Sequence, residues 1–292
     1  MNEQKMRGQV TGFRDEVTNT ISYVLADPET KKCAIIDSVW DYDIKSGRTD
    51  TSSADAIVDF VKQAGYNVEL ILETHAHADH LSASQYLKQK FGAAIAIGSH
   101  IREVQDIFQK VFNFPEEILL EQSFDRLIDD GEVFSIGNLK LRAMHTPGHT
   151  PACMAYVCGD IAFVGDTLFM PDYGTARADF PGGSAETLYR SIQRLFELPD
   201  DTRLYLCHDY LPEAGRTEYQ WETTIGEQRQ NNIHVHDGVS EEEFVEMRSK
   251  RDASLSLPTL IVPSVQVNIR AGSLPPPESN GVSYIKVPVD TL

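Results

Sequence analysis

Thr74-His75-Ala76-His77-Ala78-Asp79-His80 places four side chains of metal-ligating type within six residues. Imidazole nitrogens and carboxylate oxygens suit zinc, iron or manganese, and no cysteine is needed. A histidine kept for structural reasons usually stands alone in a core, so a run of this density points to a metal. The apolar run 68–72 before it reads as a buried strand, and 81–87 after it reads as the start of a helix. The ligand types therefore sit on a strand-to-helix turn. There His75 and His77, two apart in a non-helical segment, can converge on one ion.

The remaining candidates follow the same syntax. His149, in Pro147-Gly148-His149-Thr150, follows the alternating run 139–144. Asp166, in Gly165-Asp166-Thr167, follows the apolar run 161–164, and His208, in Cys207-His208-Asp209, follows 204–206. Asp37 also ends a short apolar run, 33–36. A metal site assembled from distant parts of a chain is built this way, from residues just beyond strand ends.

The elements that must position these residues can be read in order. Residues 20–25 and 33–37 read as strands joined by turn chemistry at Asp27-Pro28-Glu29-Thr30. A polar loop is expected from Asp41 to Ser53, then a helix with Ile57, Val58 and Val61 inward that ends at Gly65. A short strand at 94–97 and a helix capped by Ser99 follow. Residues 118–144 read as strands with a turn at Asp129-Asp130-Gly131, and 154–158 and 161–164 as two more. Residues 171–183, rich in Gly, Pro and Asp, are a long loop, and Ser184 caps a helix. Beyond 212, a helix is expected at 219–230, and Ser240-Glu241-Glu242-Glu243 fits a capping box opening another through Arg251. The end, with Pro275-Pro276-Pro277, reads as an extended tail, and 266–272 stands out in composition. Strands alternating with helices indicate one α/β domain over 1–212, with a C-terminal segment, 213–292, packing on it.

The formal net charge of -18 repels phosphate backbones, so nucleic acid is not an expected partner and a nuclease is disfavoured. No apolar run approaches the roughly 20 residues that span a bilayer, and the first residues lack the apolar core of a signal peptide. A cytoplasmic protein without a membrane partner is the expectation. Cys33, Cys153, Cys158 and Cys207 form no CxxC pair and lie in apolar, strand-like runs, so they read as buried free thiols.

The motifs His75-x-His77-x-Asp79-His80, Pro147-Gly148-His149-Thr150, Gly165-Asp166-Thr167 and Cys207-His208-Asp209, in this order, resemble those of the metallo-β-lactamase superfamily. The resemblance covers about residues 20–210. It implies an αββα sandwich with the metal site at one edge between two sheets. Within the superfamily the chain is most similar to the persulfide dioxygenases, relatives of glyoxalase II. Arg177-Ala178-Asp179-Phe180 after Gly165-Asp166-Thr167-Leu168-Phe169, and His208-Asp209-Tyr210, carry that similarity. It implies oxidation of glutathione persulfide by O2 on one Fe(II) per chain, and similar proteins suggest a homodimer.

Carried over residue by residue, the resemblance makes His75, His149 and Asp166 the iron ligands. His77, Asp79, His80 and His208 then surround and orient them. In a hydrolase relative the same residues become ligands of two zincs: His75, His77 and His149 for one, Asp79, His80 and His208 for the other, with Asp166 bridging. The inventory of residues is the same in both arrangements. Arg177 resembles the residue that contacts a glutathione carboxylate, Asp179 is placed to hold it, and Tyr210 to touch substrate. His145, His100, His234 and His236 read as structural or surface residues. The loop at 173–177 and the segment 41–53 depart from the better-known members and resemble a bacterial branch. Three functions stand: an iron persulfide dioxygenase, a dinuclear zinc thioesterase of the glyoxalase II type, and a non-catalytic metal- or persulfide-binding protein.

Overall fold

The computed structural model describes residues 8–115, 123–212 and 214–291. The chain opens with β1 (Gln9–Arg14), β2 (Ile21–Ala26) and β3 (Lys32–Ile36), then a hairpin of β4 (Val39–Asp43) and β5 (Arg48–Asp50). Helix α1 (Ser52–Ala64), β6 (Asn67–Leu72), the two-residue β7 (Leu81–Ser82), α2 (Ser84–Phe91), β8 (Ala94–Gly98) and α3 (Ile101–Val111) follow. Next come β9 (Arg126–Ile128), β10 (Val133–Ile136), β11 (Leu139–His145), β12 (Met154–Cys158) and β13 (Ile161–Phe163). Helix α4 (Ala185–Leu195), β14 (Arg203–Tyr205), β15 (Glu222–Thr224), α5 (Ile225–Asn231), α6 (Glu241–Asp252) and α7 (Ile261–Asn268) complete it.

Two six-stranded sheets form, in the orders β1-β2-β3-β6-β8-β9 and β10-β11-β12-β13-β14-β15. Their facing sides follow from the period of two along each strand. In β2, Ile21, Tyr23 and Leu25 point between the sheets with Leu139, Leu141, Tyr156 and Phe163. Val24 and Ala26 point outward, under α1 and α3, with Ile57, Val61, Val104 and Phe108. On the far side, Val157, Ala162 and Leu204 lie beneath Leu188 and Ile192 of α4, with Phe244 of α6. Three cores separate four layers, the expected αββα sandwich. Each fully buried Ile, Leu or Phe contributes about 1.5–3 kcal/mol through the water it sheds.

Helix ends follow local chemistry. Gly65 closes α1 in the left-handed conformation, and its N–H reaches Lys62 O and Val61 O. The Ser184 side chain accepts from Thr187 N, and Ser240 and Glu243 make the full capping box of α6.

Several expectations change. The segment 41–53 is no loop: β4 and β5 form a hairpin, and β4 also pairs with β7. β5 is polar and exposed, and the part of β4 within this segment, Asp41–Asp43, carries two acids around Tyr42, so neither shows the apolar run that marks a buried strand. The helix expected from 81 begins at Ser84, because Leu81 and Ser82 pair with β4. Ser99 does not cap α3, whose N-cap is His100. Residues 222–224, expected in a helix, extend the second sheet against β14, with Thr223 and Thr224 suited to that pleat. Of the strands expected over 118–144, residues 118–122 lie outside the described residues.

The C-terminal segment carries one more helix than expected, α7. It is buried on nearly all sides, its polar Ser264, Gln266 and Asn268 included, so it shows no amphipathic period, and Pro263 sits in its first turn where proline is tolerated. The following residues have no regular structure; Lys286 N–H donates to the Gln266 side chain. Among the described residues, no helix is long and apolar enough to cross a membrane.

Candidate metal centre

Strand ends deliver every candidate ligand to one edge between the sheets. The first sheet supplies the 75–80 turn beyond β6, and Asp37 beyond β3. The second supplies His149 beyond β11, Asp166 beyond β13 and His208 beyond β14. The halves interlock at Gly165: its φ is +51°, and a Cβ there would lie 2.6 Å from Thr74 Oγ1. Only glycine allows both that backbone and that approach.

The ligand atoms converge. His75 Nε2 and His149 Nε2 lie 3.9 and 3.8 Å from Asp166 Oδ2. His208 Nε2 lies 3.3 Å from both Asp166 Oδ1 and Asp79 Oδ2. Among the described residues, four sets form in which every ligand atom is within 4.8 Å of the others: His75, His149 and Asp166; His77, Asp79, His80 and His208; and two that include Cys207, with Asp37 and His77 or with Asp166 and His208. His75 Nε2, His77 Nδ1, His80 Nε2, His208 Nε2, Asp79 Oδ2 and Asp166 Oδ1 are buried without a hydrogen-bond partner among the described residues. Such orphans are costly and rare, and here they all face one another. Imidazole lone pairs and carboxylate oxygens grouped in this way fit a divalent metal.

The surrounding bonds aim the rings. Thr74 Oγ1 donates to Asp37 Oδ2 at 2.9 Å, so it accepts from His75 Nδ1 at 3.0 Å. His149 Nδ1 donates to the Arg177 carbonyl at 2.8 Å. Both bonds leave the Nε2 lone pair facing Asp166, which is how metal-binding histidines are usually oriented. His80 Nδ1 pairs with Thr20 Oγ1 at 3.2 Å. His77 Nε2 lies 3.1 Å from Asp37 and 3.3 Å from Glu73, two buried carboxylates that sequence reasoning gave no such role. Glu73 is further held by the Ser82 and Ser84 hydroxyls. Asp37 was visible only as a strand-end acid, and Glu73 had no signal.

Electrostatics favour the ligand forms of His75 and Asp79. Burial, then the neighbouring His77 and His149, lowers His75 well below the ordinary histidine value, so it presents a neutral imidazole. Burial raises Asp79, but His208 and His80 overturn this and leave it well below the usual carboxylate range. Burial lowers His77, and Asp37 reverses this and raises it. All four cysteines are free and buried. Cys207 comes within ligand distance of Asp166 and His208, yet burial, then Asp37, pushes its thiol far up.

Of the substrate candidates, Arg177 and Tyr210 lie on the walls of a cavity of about 1190 Å³ above this edge, and Asp179 does not line it. The β4–β5 hairpin forms one wall with Trp40 and Tyr42; the segment around α6 forms another with Arg248 and Leu260. Tyr210 lines it too, its ring stacked 5.6 Å from His208. Arg177 lines it, held by Asp179 through Nε at 2.5 Å and Nη2 at 2.7 Å, with Nη1 donating to Ser256 O. Asp209 points away from the cluster and is gripped by Arg216 at 2.6 and 2.7 Å. His145 stacks on His100, its Nε2 donating to Pro151 O. His234 Nδ1 accepts from Thr175 N, and His236 is exposed.

The sequence pattern of the metallo-β-lactamase superfamily matches residues 16–208. The chain belongs to the metallo-β-lactamase superfamily. Within it, the chain is 55% identical to a probable metallo-hydrolase of Burkholderia pseudomallei, over 97% of this chain and 99% of that one. It is 48% identical to glyoxylase B2 of Dictyostelium discoideum, over 98% of each. The bovine mitochondrial persulfide dioxygenase ETHE1 is 31% identical over 88% of this chain and 86% of its own. Among solved structures, ETHE1 from Myxococcus xanthus superposes with a TM-score of 0.73 at 27% identity, covering 91% of this chain and all of that one.

Proposed function

We propose that this member of the superfamily is a persulfide dioxygenase that converts glutathione persulfide, O2 and water to glutathione and sulfite. Atoms balance as RSSH + O2 + H2O giving RSH + H2SO3. The observation that carries the reading is the convergence of His75, His149 and Asp166, whose ligand atoms all lie within 4.8 Å of one another. Two imidazoles and one carboxylate on one face are the donor set of non-haem iron(II) oxygenases. The likeness to bovine and Myxococcus ETHE1 over most of their lengths supports it.

On this reading His75, His149 and Asp166 would hold Fe(II), which would supply the redox chemistry. The protein's part is orientation. The Thr74–Asp37 pair holds His75, and the Arg177 carbonyl holds His149. Tyr210 stays a neutral phenol, because burial and then Asp79 and Asp166 raise it well above the ordinary tyrosine value. The Arg177 guanidinium, fixed by Asp179, presents its remaining N–H donors to a glutathione carboxylate.

A second reading, a dinuclear zinc thioesterase, is favoured by the set of His77, Asp79, His80 and His208, and by the likeness to glyoxylase B2. Metal content of anaerobically purified protein, paired with O2 uptake on glutathione persulfide, separates the two. About one iron per chain with O2 consumption is expected. Two zincs per chain, with hydrolysis of S-lactoylglutathione and no O2 uptake, would sink the dioxygenase.

A further inference from the structure

Asn268, at the C-terminal end of α7, is buried and spends its whole amide on the 75–80 turn and the β7 residue just after it. Its Nδ2 donates to His77 O and to His80 O, each at 2.8 Å. Its Oδ1 accepts from Ser82 N at 2.8 Å. The opposite placement of amide oxygen and nitrogen would set an oxygen against two carbonyls, so the partners fix the orientation.

The turn has little else to hold its backbone. Among the described residues, no backbone-to-backbone hydrogen bond involves residues 75–80. Ligand side chains on a segment without its own ladder are aimed only as well as that segment is held. One amide, 191 residues beyond His77, ties the two carbonyls that bracket Ala78 and Asp79.

The approach of α7 is itself fixed. Gly272, with φ at +85°, sits where a Cβ would lie 2.6 Å from Ser82 O, so only glycine lets the chain leave α7 this close to β7. From the other side, Gln105 Nε2 of α3 donates to Ile269 O at 2.9 Å.

We propose that Asn268 is a positioning residue for the metal centre: by clamping the carbonyls of His77 and His80 it sets the spacing at which the turn's side chains converge. The proposal rests on the turn binding metal and is independent of which reaction follows.

The test uses the full chain and Co(II) alone, with affinity read by chelator competition and geometry by the d–d absorption of bound Co(II). Asn268→Asp keeps the size and the acceptor for Ser82 N but removes both donors. It is expected to weaken Co(II) binding about 10- to 100-fold and to change the absorption bands. Val265→Ala, a cavity in the same helix, is expected to lower the melting temperature while Co(II) affinity and spectrum stay as in the parent. Parental affinity and spectrum in Asn268→Asp would overturn the proposal, as would equal weakening by Val265→Ala. If the aspartate variant does not fold, Asn268→Ala carries the same expectation. If neither folds, Asn268 is a fold residue and the proposal fails. A parent chain that binds no Co(II) would instead refute the metal reading itself.

Discussion

The floor and the walls of the cavity are built on opposite terms. On the floor, His75, His77, His80, Asp166 and His208 are buried, and bonds to Thr74, Asp37 and Thr20 orient the rings of His75, His77 and His80. The walls come from a hairpin, the 171–183 loop and the segment after α6, and several of their polar side chains are exposed. A buried polar group without a partner is expensive, so the floor tolerates little besides metal-ligating residues that meet one another. Exposed walls carry no such penalty and are free to vary. The chemistry of the molecule is thus written in residue type and its choice of substrate in loop geometry.

The largest effect should come from the floor. Asp166→Ala removes the carboxylate that approaches His75, His149 and His208, and is expected to abolish metal retention, read by elemental analysis. Retained stoichiometric metal would mean that the two sets of ligands do not depend on their shared acid. Next is Asp37→Ala, which strands the buried His77 and the Thr74 donors that Asp37 now satisfies. A cost of about 3–5 kcal/mol in denaturant unfolding is expected, and a loss below about 1 kcal/mol would show that Glu73 alone suffices.

These floor residues also mark how far the sequence was legible. The four motifs were visible because ligand types are dense in them and stand after apolar runs. The strands flanking them were visible for the same reason, since Val68–Leu72 and Ile161–Val164 are buried on both faces. Glu73 was not visible, since a lone acid after a strand looks the same whether solvated or clamped under a histidine. Neither was the bond from His149 to the Arg177 carbonyl, because a backbone atom carries no residue signature. The β4–β5 hairpin escaped because β5 is polar and exposed and acids interrupt β4, and α7 because it is buried nearly all round and shows no amphipathic period.

The walls should give smaller effects. His234 supports one of them, accepting from Thr175 N, and burial, then Arg248 and Arg251, lowers it to about 4. The unfolded chain, with an ordinary value of about 6.5, takes up that proton first. Stability is therefore full above pH of about 6.5 and is lost as pH falls toward 4, by up to about 3 kcal/mol. Comparing His234→Gln with the parent across pH 4–7 in thermal melts isolates this slope; parallel curves would refute it.

Arg177→Ala should raise KM for the thiol substrate about tenfold while metal content stays at the parent level, because the main-chain carbonyl still holds His149. An unchanged KM removes the guanidinium from the substrate site. Smallest is Arg48→Ala with Arg251→Ala. Both arginines line the cavity without a carboxylate partner among the described residues. A rise in KM of roughly threefold is expected, larger at low salt than at high salt. A drop in kcat instead would mean that walls and floor are coupled, contrary to the comparison.

The reach of Asn268 back to the 75–80 turn bears on how the protein is made. Synthesis delivers domains from the N-terminus, and folding proceeds as the chain emerges. A nascent chain that has passed His208 already carries every candidate ligand, yet the carbonyls of His77 and His80 remain unclamped until α7 follows. On the proposal made for Asn268, the spacing of the turn's side chains is therefore set late, by a residue made 60 positions after the last candidate ligand.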